Sequence, residues 1–213
     1  MHQSDHMTKS LIVNCSLKAT TSEALLEAVK KFSNVTVIQF RDVEEGYHIE
    51  KDVDCVVISG SAARIVSPSD RDIFGGVVNL IKTCNLPILG ICYGHQLLCW
   101  AFGAKVGLLP QPVLDQFEKV RVVYVDEIFA GFAKQETIPL SENHYDYVLK
   151  EGLDEAGLVL LADSASCEVE AVKHKTKPFY GVQFHPERIN VKSESHPEGH
   201  KVIENFFRNV VQR

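Results

Sequence analysis

The sequence predicts an α/β fold, a mainly parallel mixed sheet flanked by helices. Three observations point there. Short apolar β-type runs alternate with helical ones through the first half of the chain. Those early strands are continuously apolar, as strands buried on both faces are. The strands of the second half follow one another through turn-like connections, which adds an antiparallel part.

Taken in order, residues 10–14 (Ser-Leu-Ile-Val-Asn) read as the first strand. Residues 22–32 are amphipathic, with Leu25, Leu26, Val29 and Phe32 on one stripe, the pattern of a helix with one buried face. Residues 35–39 and 54–59 are strands again. Residues 70–84 carry a helical pattern that Gly75-Gly76 weakens in its middle. Residues 86–91 form a further strand and 95–102 a further helix. Beyond them, residues 119–125, 157–162, 167–173 and 179–183 read as strands. In 167–173, Val169 and Ala171 alternate with Glu168 and Glu170, which predicts a partly exposed antiparallel or edge strand. Residues 199–211 close as a helix with Val202, Ile203, Phe206 and Val210 on one face.

At 213 residues the chain is long enough for one well-buried core and short for two. With no repeat, low-complexity tract or Pro/Gly-rich linker, a single domain over residues 8–212 is expected. Residues 1–7 (Met-His-Gln-Ser-Asp-His-Met) read as an expression scar or a disordered start. A net charge of −6 argues against a nucleic-acid partner, whose footprint is basic. No apolar run approaches the roughly 18–20 residues that cross a bilayer, and no signal-peptide pattern opens the chain. The six cysteines (15, 55, 84, 92, 99 and 167) follow no disulfide spacing, so reduced thiols in a cytoplasmic protein are expected.

Gly90-Ile-Cys92-Tyr-Gly94 fits G-x-[S/C]-x-G, the sharp strand-to-helix turn of a nucleophile elbow. Its glycines let neighbouring backbone crowd the turn, and its central residue is strained, with the side chain presented outward. The following helix begins at Cys92, so its first amides and its dipole favour a thiolate. The Tyr93 N–H then points where an oxyanion would form. A small core cysteine between two turn glycines would fit the same five residues. A metal site of Cys84, Cys92, His95 and Cys99 fits poorly, because no C-x-x-C pair is present.

The far end of the chain favours the nucleophile. Phe184-His185-Pro186-Glu187 follows a strand, and in extended backbone His185 and Glu187 project to the same side. Glu187 can then bond one imidazole nitrogen while the other faces Cys92. Pro186 cannot donate to a ladder and marks a strand end, where α/β sites collect. Alone, this run would read as a surface turn. Together with the elbow it makes a Cys–His–Glu triad the stronger reading, a thiol with a base and the base with its orienter.

The two motifs, Gly-Ile-Cys92-Tyr-Gly-His-Gln96 and Gly-Val-Gln-Phe-His185-Pro-Glu187, resemble those of the class I (triad) glutamine amidotransferases, in the same order and over residues 8–212. Within that family the chain is similar to the separate glutaminase subunit of GMP synthase, on residues 125–131 and on 169–174 leading into 177–187. Sister subunits such as the anthranilate synthase amidotransferase share much of that pattern. The resemblance implies a flavodoxin-like fold with a small antiparallel addition and no metal or organic cofactor. It implies Cys92 as the nucleophile on the glutamine side-chain amide, His185 as general base and then acid, and Glu187 as its orienter. Gln96 would line the glutamine pocket. Asn143, His144, Tyr145 and Asp146 align with the family's Ser-His-x-Asp segment, whose backbone holds the α-amino and carboxylate groups of the substrate. By itself that segment reads as a polar surface loop.

Two departures from the family pattern stand out. Where Gly-Gly-Pro is usual, this chain has Ser59-Gly60-Ser61-Ala-Ala-Arg64, so the oxyanion hole would be built from Gly60, Ser61 and Tyr93. A positive φ at Ser61 would cost about 1 kcal/mol or more, which predicts a hole formed only after rearrangement. Tyr147 stands where the GMP synthase glutaminases usually carry an acid, which leaves the receiver of the ammonia open. The implied function is a glutaminase working through a γ-glutamyl thioester. It would supply a separate ATP-dependent synthetase, one converting XMP to GMP, since no G-x-x-x-x-G-K-[ST] phosphate loop occurs in this chain. A free-standing γ-glutamyl hydrolase and an inactive binding module are the rival readings.

Overall fold

The computed structural model describes residues 7–212; residues 1–6, most of the stretch read as an expression scar, lie outside the described residues. In chain order the strands are Lys9–Asn14 (β1), Asn34–Gln39 (β2), Cys55–Ile58 (β3), Ile88–Ile91 (β4), Val106–Val122 (β5), Thr137–Val148 (β6), Leu158–Asp163 (β7), Ala171–His174 (β8), Phe179–Val182 (β9), Asn190–Val191 (β10) and Glu194–Ser195 (β11). The α-helices are Glu23–Lys30 (α1), Pro68–Asp72 (α2), Gly75–Thr83 (α3), Tyr93–Ala101 (α4) and Glu198–Phe206 (α5).

One sheet runs in the order β2-β1-β3-β4-β9-β8-β7-β5-β6, and β10 pairs separately with β11. The first five strands of that order are parallel to their neighbours. From β9 to β6 every pairing is antiparallel. The expected mixed sheet is therefore present, its antiparallel part continuing the sheet through β8, β7, β5 and β6.

Alternation along the buried strands sends apolar side chains to both faces. Leu11, Val13, Val56, Ile58 and Ile88 pack with Val77, Ile81, Leu97 and Leu98 of α3 and α4. Ile12, Val57, Leu89, Ile91 and Val182 pack on the other face with Leu25 and Val29 of α1 and Val202 and Phe206 of α5. Each such side chain, fully buried, contributes roughly 1.5–3 kcal/mol. Helix α1 starts where its cap places it: Ser22 Oγ accepts the Leu25 N–H at 3.4 Å.

The structure corrects three sequence expectations. The helical pattern of 70–84 is two helices, because the chain breaks at residues 73–74 to send Phe74 into the core. There Phe74 lies 4.1 Å from the Phe40 ring and 4.8 Å from Tyr93. The stretch 167–173 is not an edge strand. Only its end joins β8, which is antiparallel to β9 and β7 on either side, and Val169, Glu170 and Ala171 are all buried, so neither alternating set faces outward. Residues 143–146, for which a polar surface loop was the alternative to a substrate-binding segment, are part of β6, which bears Glu142, His144 and Asp146 on its buried face.

All six cysteines are free and buried. Among the described residues no helix is long and apolar enough to cross a membrane. The C-terminal ends of β1, β3, β4 and β9 open at one rim of the sheet, and the chain continues there as Cys15, Ser59, Cys92 and Gln183. In open α/β sheets this rim is where ligands bind.

Candidate active site

Cys92 occupies the turn between β4 and α4 at φ 51° and ψ −104°, a conformation that L-residues avoid. Its neighbours hold it there. The Cys92 N–H donates to Val182 O of β9 at 2.8 Å, and its carbonyl accepts the Gln96 N–H at 3.0 Å. The flanking glycines permit the crowding: a β-carbon on Gly90 would sit 2.6 Å from Gly94 O, and one on Gly94 would sit 2.2 Å from Ile58 O. The elbow read from the sequence is thus the local geometry observed.

Cys92 lines a cavity of about 890 Å³ together with Gly60, Ser61, Arg64, Gln96, His185 and Glu187. His185 leaves the end of β9 with its backbone N–H bonded to Ser141 O of β6 at 2.7 Å. Its Nδ1 lies 2.8 Å from Glu187 Oε1. The Cys92 side chain lies beside the ring in the same cavity and favours its protonated form. Burial by itself pulls the imidazole down, but the Glu187 carboxylate and the Cys92 sulfur outweigh it and hold His185 well above its ordinary value. The cysteine meets the imidazole and its carboxylate, which lie far along the chain from it, in one cavity. Helix α5 braces the acid, since His200 Nε2 lies 3.3 Å from Glu187 O.

Gly60 faces this pair directly. A β-carbon there would come within 3.1 Å of His185 Cε1 and 3.5 Å of Cys92 Cβ. Ser61, in contrast, is not among the residues at positive φ, so its backbone carries no such strain in this conformation. The run after β3 is instead pinned in place. Ser61 Oγ accepts the Ala63 N–H at 3.1 Å, and Asp70 Oδ2 accepts the Arg64 N–H at 2.8 Å. The Arg64 fork closes on Asp146 of β6, with Nε 3.0 Å from Oδ1 and Nη2 on the same oxygen. The other oxygen of Asp146 accepts the Val66 N–H at 3.3 Å.

The remaining expected residues divide. Gln96 reaches the cavity wall, but its Nε2 is committed to Asp146 O at 2.8 Å and Gln183 Oε1 at 3.0 Å. Asn143 contributes its backbone oxygen, 3.9 Å from Cys92 Sγ. His144 is buried, its Nδ1 2.9 Å from Asp146 O, whereas Tyr145 is exposed beneath the Arg64 guanidinium at 4.9 Å. Sequence reasoning missed Arg64 as a clamp, and it missed Gln183, whose Nε2 lies 3.7 Å from Cys92 Sγ. A signal existed for Gln183: with His185 and Glu187 it continues the same two-residue period. Another existed in Glu142-x-His144-x-Asp146, a polar alternation along one strand face.

Comparison with known proteins agrees with this geometry. The glutamine amidotransferase class-I model matches residues 12–210. The glutamine-hydrolyzing GMP synthase subunit of Methanothermobacter thermautotrophicus is 41% identical over 133 residues, 62% of this chain and 66% of that protein. The corresponding GMP synthase subunit of Methanosarcina mazei is 31% identical over 204 residues, 93% of this chain and 95% of its own length. A crystal structure from Thermoplasma acidophilum, provisionally described as a GMP synthase subunit, superposes with a TM-score of 0.78 at 29% identity, covering 96% of this chain and 94% of that one. The sheet order, the strained turn after β4 and this match over nearly its whole length lead to one assignment: the chain belongs to the class-I glutamine amidotransferase family.

Proposed function

We propose that this chain hydrolyses glutamine to glutamate and ammonia, through Cys92, His185 and Glu187, and supplies the ammonia to a separate ATP-dependent synthetase. The observation that carries the reading is the junction in the cavity: a cysteine at positive φ beside an imidazole whose Nδ1 meets a buried carboxylate. In this reading His185 accepts the thiol proton, and the sulfur attacks the side-chain amide carbon. The same ring then protonates the departing nitrogen as a γ-glutamyl thioester forms. Water, deprotonated by His185, cleaves the thioester. Glu187 keeps the ring oriented and its positive charge compensated. The Tyr93 amide at the start of α4 and the Ser61 amide are the donors for the oxyanion.

The similarity to glutamine-hydrolyzing subunits of GMP synthase supports XMP amination as the fate of the ammonia. Isolated chain is expected to release glutamate from glutamine. Mixed with an ATP pyrophosphatase that activates XMP, it is expected to support glutamine-dependent GMP formation. Cleavage of γ-glutamyl peptides without any release from glutamine would replace this reading with the free-standing hydrolase.

Arg64→Ala tests the pinned loop. It frees the run carrying the Ser61 amide, so kcat for glutamine is expected to fall about 10²-fold, the scale of one lost oxyanion donor, with KM moving less. Steady-state glutamate release measures both. An unchanged kcat would separate the loop from the reaction.

A further inference from the structure

Behind the cysteine lies a polar group for which the proposed chemistry has no use. Glu142 of β6 and Glu170, just before β8, are both fully buried, and their carboxyls act on each other. Ser164 Oγ donates to Glu170 Oε1 at 2.7 Å. His144 Nε2 stands 3.4 Å from Glu142 Oε2. The other ring nitrogen, Nδ1, must be the one that carries hydrogen, because its partner at 2.9 Å is a carbonyl, Asp146 O.

If both acids were ionised, four buried atoms would have no donor or acceptor: Glu142 Oε1 and Oε2, Glu170 Oε2 and His144 Nε2. Two protons satisfy all four. One on Glu170 Oε2 donates to Glu142, and one on Glu142 Oε2 donates to the bare His144 Nε2. Two charges facing each other out of water are thereby avoided. The chain continues toward the reacting sulfur. Asp146 O also accepts from Gln96 Nε2 at 2.8 Å, Gln96 Nε2 donates to Gln183 Oε1 at 3.0 Å, and Gln183 Nε2 donates to Cys92 Sγ at 3.7 Å.

We propose that Glu170 and Glu142 are a pair of buried neutral acids that donate in series to His144 and so position the Asp146–Gln96–Gln183 chain on the Cys92 sulfur. The inference rests on Cys92 being the nucleophile. Both glutamates are positioning residues. Their backbones join the same frame: Ser141 O, beside Glu142, accepts the His185 N–H, and Glu170 O accepts the Gln183 N–H, each at 2.7 Å. Burial pushes Glu142 up to about 8. Burial first, and the Glu142 charge second, push Glu170 well above the carboxylate range. Burial pulls His144 down, in keeping with a bare Nε2. Facing Glu142 are Glu170, His185 from the turn after β9, Cys92 from the elbow and Glu118 from β5; facing Glu170 are also Ser164, His144 and Cys167.

The sign of the pH effect follows. A carboxyl raised from 4.5 to about 8 holds its proton in the folded state where the unfolded chain has lost it. Stability from this group therefore declines as pH rises from the lower value to the upper one. Above about 8, Glu142 also loses its donor to His144 and adds a negative charge facing Cys92, which opposes the thiolate.

The test follows iodoacetamide alkylation at Cys92, read on its own peptide by mass spectrometry, beside glutamine kinetics from neutral to alkaline pH. The chains compared are wild type, Glu142→Gln and Glu142→Leu. Glu142→Leu is expected to slow alkylation and kcat about tenfold with KM nearly constant, the scale of one lost buried hydrogen bond. Glu142→Gln is expected to recover most of that loss, since a carboxamide donates to His144 and accepts from Glu170. It should also melt no lower than wild type at alkaline pH. The ratio of wild-type to Glu142→Gln alkylation is expected to fall about threefold or more as pH passes the Glu142 titration. A ratio independent of pH overturns the proposal, and so does a folded Glu142→Leu chain that reacts at the wild-type rate. If Glu142→Leu does not fold, the ratio alone decides. Alkylation requires no glutamine, so loss of hydrolysis alongside a pH-dependent ratio would count against the proposed function and leave the acid pair standing.

Discussion

Cys92→Ala is expected to release glutamate from glutamine at least about 10⁴-fold more slowly than wild type, the scale of removing a covalent nucleophile whose residual rate comes from binding and oxyanion donors alone. The fold should survive. Alanine keeps the β-carbon, so the backbone cost at φ 51° is the same for both residues, and the hydrogen bonds the sulfur gives up, to Gln183 and Asn143, are long. His185 would lose one of the partners that raise its proton affinity, with Glu187 still in place at 2.8 Å. Paired measurements of glutamate release and thermal unfolding make the distinction. A variant within tenfold of wild type would remove Cys92 from the reaction. Cys99→Ala and Cys167→Ala are the controls, because both thiols are buried and burial pushes them up, away from the thiolate. Both controls are expected to keep the glutaminase rate.

Gly94→Ala carries the largest structural effect. Its new methyl would meet Ile58 O at 2.2 Å, Ile58 C at 2.8 Å and Ile58 Cγ2 at 3.0 Å. The first two are backbone atoms of β3, which is paired on both sides by β1 and β4, so neither can rotate away. The start of α4 must therefore lift from the sheet, at about 3 kcal/mol or more. For a chain of this size that corresponds to a fall in melting temperature of about 6–12 °C. The same shift carries the Tyr93 amide and Cys92 away from His185, so activity should fall further than stability alone accounts for. Calorimetry and glutamate release below the melting point read the two effects. Gly75→Ala is the reference, since a β-carbon there meets nothing within 4 Å. If Gly94→Ala melted with the wild type, the close packing of α4 on β3 would be refuted.

The parts of this site that could be read in advance are those governed by near neighbours along the chain. The Gly-x-Cys-x-Gly turn needs only a strand, a helix and two residues without β-carbons, and all lie within a few positions of Cys92. His185 and Glu187 share a side of the backbone because of the two-residue period of an extended chain. Ser22 starts α1 by bonding an amide three residues on. The parallel strands were legible because strands buried on both faces show as unbroken apolar runs.

What eluded the sequence depends on which strands lie side by side. β6 was hidden because its inward face is polar: Glu142, His144 and Asp146 violate the apolar alternation by which a buried strand face is recognised. They are tolerable there only because β6 is brought opposite Arg64, 82 positions from Asp146, while Glu142 meets Glu170 across the antiparallel part. Glu170 is likewise buried because its segment runs inside the sheet and not at its edge. The chain by itself determined the strained thiol, the imidazole with its acid, and the alternation of strands and helices that makes a mainly parallel sheet, all consequences of local backbone geometry and periodicity. Tertiary structure alone decided how the loop after β3 is held and which acids are forced to stay neutral, because the free energy of a buried charge is set by partners that only the completed sheet brings within reach.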